Sequence, residues 1–181
     1  MALIKARSRG INLADTFAFT GTVSGAGGTA GTEAFLAILS SNQSVSDNTA
    51  TLVAFDTESY DVGSNYTNTS SNYKYTCPSA GKYRFYAQVS GATDGSYAIN
   101  NSFARLKKNG STDICFNSSP THQNSHAPDT AQTTIDITLD CSANDYFQIY
   151  ASINSTGSGH SVTNVYSDSS RRTWFGGYKI A

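Results

Sequence analysis

His122 and His126 stand four residues apart, the spacing at which two imidazoles share one face of a helix and can hold zinc. They lie between Pro120 and Pro128, where a helix is disfavoured, and no further strong ligand stands nearby, so they read as loop histidines. His160 sits in a Ser/Gly loop between Ser158 and Ser161, without the strand-to-helix context that presents a nucleophilic serine, and no Gly-x-Ser-x-Gly elbow occurs. Asp56, Glu58 and Asp61 offer oxygens to calcium, but calcium takes about six to eight and this spacing has no EF-hand-like loop. The run Gly25-Ala26-Gly27-Gly28-Thr29-Ala30 fits a loose dinucleotide fingerprint, yet strand-like sequence follows where a helix is needed. The residues therefore point to no catalytic group, no metal and no cofactor.

Composition narrows the partners. A net charge of -1 and 14% charged residues leave little for phosphate neutralisation, and the longest basic runs are the pairs Lys107-Lys108 and Arg171-Arg172. Nucleic acid is not expected as a partner. No window approaches the ~18 consecutive apolar residues of a membrane helix, and MALIKARSRG lacks an apolar signal region, so the expectation is a chain made in a cytoplasm without membrane insertion. Cys77, Cys115 and Cys141 are odd in number and widely spaced, which predicts reduced, unpaired thiols.

Two parts must position any working surface. Residues 1–32 carry a basic start, then LADTFAFTGTVSG and a Gly-rich linker. Phe17, Phe19 and Val23 fall at odd positions, as one face of an extended segment requires. Residues 33–181 show no sustained helical period; short β-branched and aromatic runs recur between turn clusters instead, which predicts a sandwich or barrel. Strands are expected near 34–39, 51–57, 73–75, 81–89, 102–108, 113–117, 130–139, 146–154, 161–165 and 172–180. In "KYTCPSAGKYRFYAQV" Tyr83, Phe85 and Ala87 should face inward after a turn at Pro78 and Gly81, with Cys77 buried beside it. Ile135, Ile137 and Leu139 should pack against Phe147, Ile149 and Ala151 across two sheets.

Phe55, Asp61, Tyr66, Tyr75, Gly81, Tyr83 and Phe85 resemble the signature of the C1q and tumour-necrosis-factor superfamily, with Ala87 where its final aromatic would stand. "RLKKNG", "NDYFQIYA" and "WFGGYKI" are similar to the family's later strands, in order. The resemblance implies an all-β, C1q/TNF-like jelly-roll sandwich with an extended N-terminal arm, assembled as a homotrimer. The arm sequence "GINLADTFAFTGTVSG" resembles the start of bacteriophage tail-fibre and other virion proteins.

Together these features lead to the expectation of a non-enzymatic virion subunit of tail fibre, head fibre or capsid decoration, made in the host cytoplasm. Ile11, Leu13, Phe17, Phe19 and Val23 would anchor it to other virion proteins. Tyr66, Tyr97, Asn100, His122 and His126 are candidate contacts for a host surface glycan or protein, since tyrosine offers contact area with a polar tip, while the resemblance favours for Tyr60, Tyr66, Tyr73 and Tyr97 the alternative of packing along a trimer axis. The alternative is a free, soluble C1q-like recognition module binding a glycan or protein ligand.

Overall fold

The computed structural model describes residues 33–69, 71–93, 98–120, 130–156, 163–165 and 172–181. The arm residues Ile11, Leu13, Phe17, Phe19 and Val23, and also Tyr97, His122, His126 and His160, lie outside them.

The described chain is built from β1 (Ala34–Ile38), β2 (Gln43–Val45), β3 (Thr51–Leu52), β4 (Thr57–Val62), β5 (Tyr66–Thr67), β6 (Lys74–Thr76) and β7 (Gly81–Ala92). The later strands are β8 (Ile99–Lys108), β9 (Thr112–Pro120), β10 (Thr130–Cys141), β11 (Tyr146–Ser155), β12 (Thr163–Val165) and β13 (Trp174–Lys179). One sheet runs β2-β12-β7-β13-β1-β4 with β10 also paired to β7; the other runs β5-β6-β11-β8-β9 with β3 paired to β11. All pairings are antiparallel. Among the described residues no helix is long and apolar enough to cross a membrane.

Alternation builds the core. In β7 Tyr83, Phe85, Ala87 and Val89 are buried while Lys82, Arg84, Tyr86 and Gln88 turn outward. In β10 the odd positions face in, and in β11 Phe147, Ile149, Ala151 and Ile153 are buried; β10 packs across the core against β8 and β9 rather than against β11 as expected, because β8 lies between β11 and β9 in the second sheet. Phe85 meets Phe147 between the sheets with centroids 4.4 Å apart, and Phe35 stacks on Tyr75 at 4.3 Å and meets Phe175 edge-on at 4.9 Å. Each such ring contributes about 1.5–3 kcal/mol by leaving water. Ala87 takes the place of the missing aromatic because Phe175 and Ile135 flank it in register on both neighbouring strands.

The signature residues hold one another. Asp61 Oδ2 accepts from the Tyr66 N–H at 2.8 Å, and the Tyr66 hydroxyl donates to the Phe55 carbonyl at 3.0 Å. Tyr66 was expected as a surface contact; it is instead buried, its ring stacked on Phe35 at 5.3 Å. Its spacing from Phe55 folds the polypeptide back so that the phenol caps the core, and burial pushes the phenol's pKa up.

The strand expected at 51–57 divides. Val53 and Phe55 stay buried between β3 and β4, and Asp56 turns its carboxylate back to accept from Ser40 N–H at 2.8 Å and Ser40 Oγ at 2.6 Å. Beyond it β4 is an edge strand, TESYDV, which is mostly solvent-facing and so lacks alternation. β2 and β5, of three and two residues, are too short to show a period.

Candidate interaction surface

The outer face of the first sheet gathers side chains that the core leaves over. Leu36 of β1 lies opposite Tyr60 of β4 on one side and Gly176 of β13 on the other, and Gly176 lies opposite Tyr86 of β7. The next rows bring Ile38 beside Trp174 and Gln88, and Ala34 beside Val62, Tyr178 and Arg84. Tyr86 packs edge-on against Trp174 at 5.7 Å and near Tyr178 at 6.3 Å, while its hydroxyl lies 3.5 Å from that of Tyr60. Tyr60 and Val62 remain 44% exposed, so an aromatic and aliphatic surface faces outward beside the edge strand. Burial, then the hydrogen bond with Tyr60, pushes the Tyr86 phenol up and keeps it neutral.

Cross-strand ion pairs border this surface on the β7–β10 side. Arg84 grips Asp136 of β10 with Nε at 2.8 Å and Nη2 at 2.5 Å, and Lys82 Nζ pairs with Asp140 at 2.7 Å. The Arg84 hydrogen bonds hold the Asp136 carboxyl below its usual range. Both pairs are exposed, and cross-strand pairs of this kind fix register more than they add stability.

The second sheet presents a smaller outer patch. Phe116, 50% exposed, stacks on Phe103 at 5.4 Å; the Arg105 guanidinium lies over it at 5.0 Å, and Lys107 lies over Tyr150 at 5.2 Å. Asp113 is ion-paired with both cations, at 3.2 and 3.3 Å. Asn100, one of the expected contacts, is half-buried at the start of β8, where its Nδ2 donates to Asn154 Oδ1 at 3.2 Å.

One cluster has the form of catalytic machinery. Lys179 Nζ donates to Ser79 Oγ at 2.7 Å, a spacing at which a neutral lysine could serve a serine nucleophile. Glu33 occupies both partners instead. Ser79 Oγ donates to Glu33 Oε1 at 2.9 Å, Tyr83 hydroxyl donates to Oε2, and Lys179 is ion-paired with Oε2 at 3.9 Å. The cluster fastens β13 to the β6–β7 turn. The closing strand continues the clamp, with Lys82 N–H donating to Ala181 O at 2.8 Å and Ile180 N–H donating to Lys82 O at 2.7 Å. Among the described residues, no group of three or more His, Cys, Asp or Glu side chains is placed to hold a metal.

Sequence spacing did not single out Leu36, Tyr86, Trp174 and Tyr178 as a surface. Their common signal is alternation: each is the outward member of a strand whose inward members are also apolar or aromatic.

Eiger TNF from S. frugiperda superposes with a TM-score of 0.58 at 12% identity, covering 82% of this chain and 91% of that one. The globular domain of zebrafish complement 1qA gives 0.54 at 15% identity over 82% and 98% of the two chains. Murine APRIL gives 0.57 at 12% over 82% and 98%. These likenesses establish the C1q/TNF jelly-roll fold. Among curated protein sequences none matches. The family model of the C1q domain matches residues 34–180, from the first residue of β1 to just past the end of β13, and the chain belongs to the C1q domain family.

Proposed function

We propose that the protein is a homotrimeric, non-enzymatic structural and adhesion subunit of a bacteriophage particle. Its C1q-like domain projects outward, and residues 1–32 anchor it. The observation that supports assembly is the outer face of the first sheet, where Leu36, Tyr60, Tyr86, Trp174 and Tyr178 form an apolar, largely aromatic surface bordered by the Arg84–Asp136 pair. Interface cores favour aromatics and disfavour charge, and C1q/TNF family members form homotrimers. The virion assignment is supported by the arm sequence, whose Phe17 and Phe19 would seat on another virion protein by adding a strand to its sheet edge.

The test separates the two halves. Full-length protein and a variant lacking residues 1–24 are compared by sedimentation equilibrium and by incorporation into particles assembled with the neighbouring gene products. The reading expects three-chain masses for both proteins and incorporation of the full-length protein alone. A one-chain mass at micromolar concentration would overturn the trimer. A trimer that stays soluble and instead retains a glycan or protein ligand would replace the virion role with that of a free recognition module.

A further inference from the structure

Cys77 and Cys141 come from segments far apart in sequence and meet at one end of the core. Cys77 lies in the connection between β6 and β7, and Cys141 is the last residue of β10. The backbone builds the meeting from both sides. Cys77 N–H donates to Asp145 O and Asn144 N–H donates to Cys77 O, each at 2.8 Å, so Cys77 is strapped to the turn that directly follows Cys141. Cys141 is in turn paired with Gly81, just beyond the Cys77 turn. Both side chains belong to the same core cluster, close enough for each thiol to affect the other's titration, and Cys141 Sγ lies 3.9 Å from the Leu139 carbonyl oxygen. Cys77 is fully buried, whereas Cys141 keeps 6% of its surface. Cys115 stands apart on β9, opposite Leu106.

We propose that Cys77 and Cys141 are a latent disulfide, closed by exchange with a small external disulfide of the glutathione type. Cys141 leads, because it retains access to solvent whereas Cys77 is fully buried. Burial pushes both thiols up, so the attacking thiolate is a minor species and exchange at neutral pH is slow. The Cys141 thiolate attacks one sulfur of glutathione disulfide and expels one glutathione thiolate, leaving a mixed disulfide. The Cys77 sulfur then attacks the Cys141 sulfur and expels the second glutathione. The two protein protons end on the two glutathione thiols, and two electrons pass from protein to oxidant.

The structure holds all three cysteines as free thiols. Full-length protein is reduced, freed of reductant, incubated folded with glutathione disulfide, and its thiols are counted after denaturation. The count should fall from three to one, the mass should drop by two hydrogens, and a non-reducing peptide map should join the Cys77 peptide to the Cys141 peptide. The melting temperature should rise by about 5–15 °C, since the cross-link restricts a long loop of the unfolded chain. Cys115→Ser should leave the linkage unchanged, with its count falling from two to none. Three remaining thiols, both in the folded protein and after refolding in the same oxidant, would overturn the proposal. So would a linkage through Cys115 or a glutathione adduct that persists on Cys141.

Discussion

Tyr86 lies across Gly176: a β-carbon built on that glycine would stand 2.6 Å from Tyr86 Cε2, 2.9 Å from its Cζ and 3.0 Å from the Phe35 carbonyl oxygen. The missing side chain lets the ring lie down over β13 and reach toward Tyr60, with the two hydroxyls 3.5 Å apart above Leu36. Gly176→Val should therefore cost about 1–3 kcal/mol of stability, because the ring can swing away but the Phe35 carbonyl belongs to the sheet. Adding Tyr86→Ala should recover only part of that loss. Thermal melting of the three proteins decides it, and full recovery would show that the carbonyl contact has no effect.

Tyr86 points away from the core, so a charged replacement there interferes with association before it interferes with folding. For the proposed trimer, Tyr86→Arg should shift the sedimenting mass from three chains toward one while the far-ultraviolet dichroism stays that of a β-sheet protein. Trp174, the single tryptophan, packs 5.7 Å from Tyr86 and reports the same event. Its emission should move to the red as the proposed assembly separates. An unchanged mass with unchanged emission would place the interface elsewhere.

The signature triad should behave as one unit. Tyr66→Phe leaves the buried Phe55 carbonyl without its donor, and Asp61→Ala removes the acceptor of the Tyr66 N–H. Each change should cost about 1–3 kcal/mol. Because both act through Tyr66, the double variant should lose less than the sum of the two. Strict additivity in denaturant unfolding would mean that the two bonds are independent.

How much of this was readable beforehand follows from where the period is clean. Tyr83, Phe85 and Ala87, or Ile135 with Ile149, could be assigned to the core because polar residues alternate with them, and each is buried as expected. Tyr66 could not be placed, since in a two-residue strand an aromatic among Asn and Thr looks like a surface contact; only the return to Phe55 reveals it as a cap. The outer aromatic face was hidden for the opposite reason. In WFGGYK Trp174 and Tyr178 share a parity that inward residues could also hold, and register with β1 and β7 is needed to place them side by side. Nor does spacing along the chain bring Cys77 to Cys141; the pairing of β7 with β10 does.

Asp145 gives the fold a defined acid limit. The carboxylate is buried beside the Cys77 strap, and burial alone would raise its pKa. Lys108 Nζ at 2.6 Å, the Ser142 N–H at 2.7 Å and Asn109 Nδ2 at 3.1 Å outweigh that burial and hold it below the usual carboxylate range. A carboxyl depressed in the folded state adds stability that is fully present above its unfolded value, about 3.9, and is lost as the pH falls through the folded value. The same contact raises Lys108, whose share persists until the pH climbs through the lysine's folded value. Between about pH 5 and 9 the contribution is therefore flat. Asp145→Asn should cost about 1–3 kcal/mol at pH 7, and the gap between variant and native protein should close as the pH drops below about 4. Melting temperatures of both proteins from pH 2.5 to 9 measure that gap, and a difference that stays constant across the acid range would show that Asp145 is not ionised in the native state.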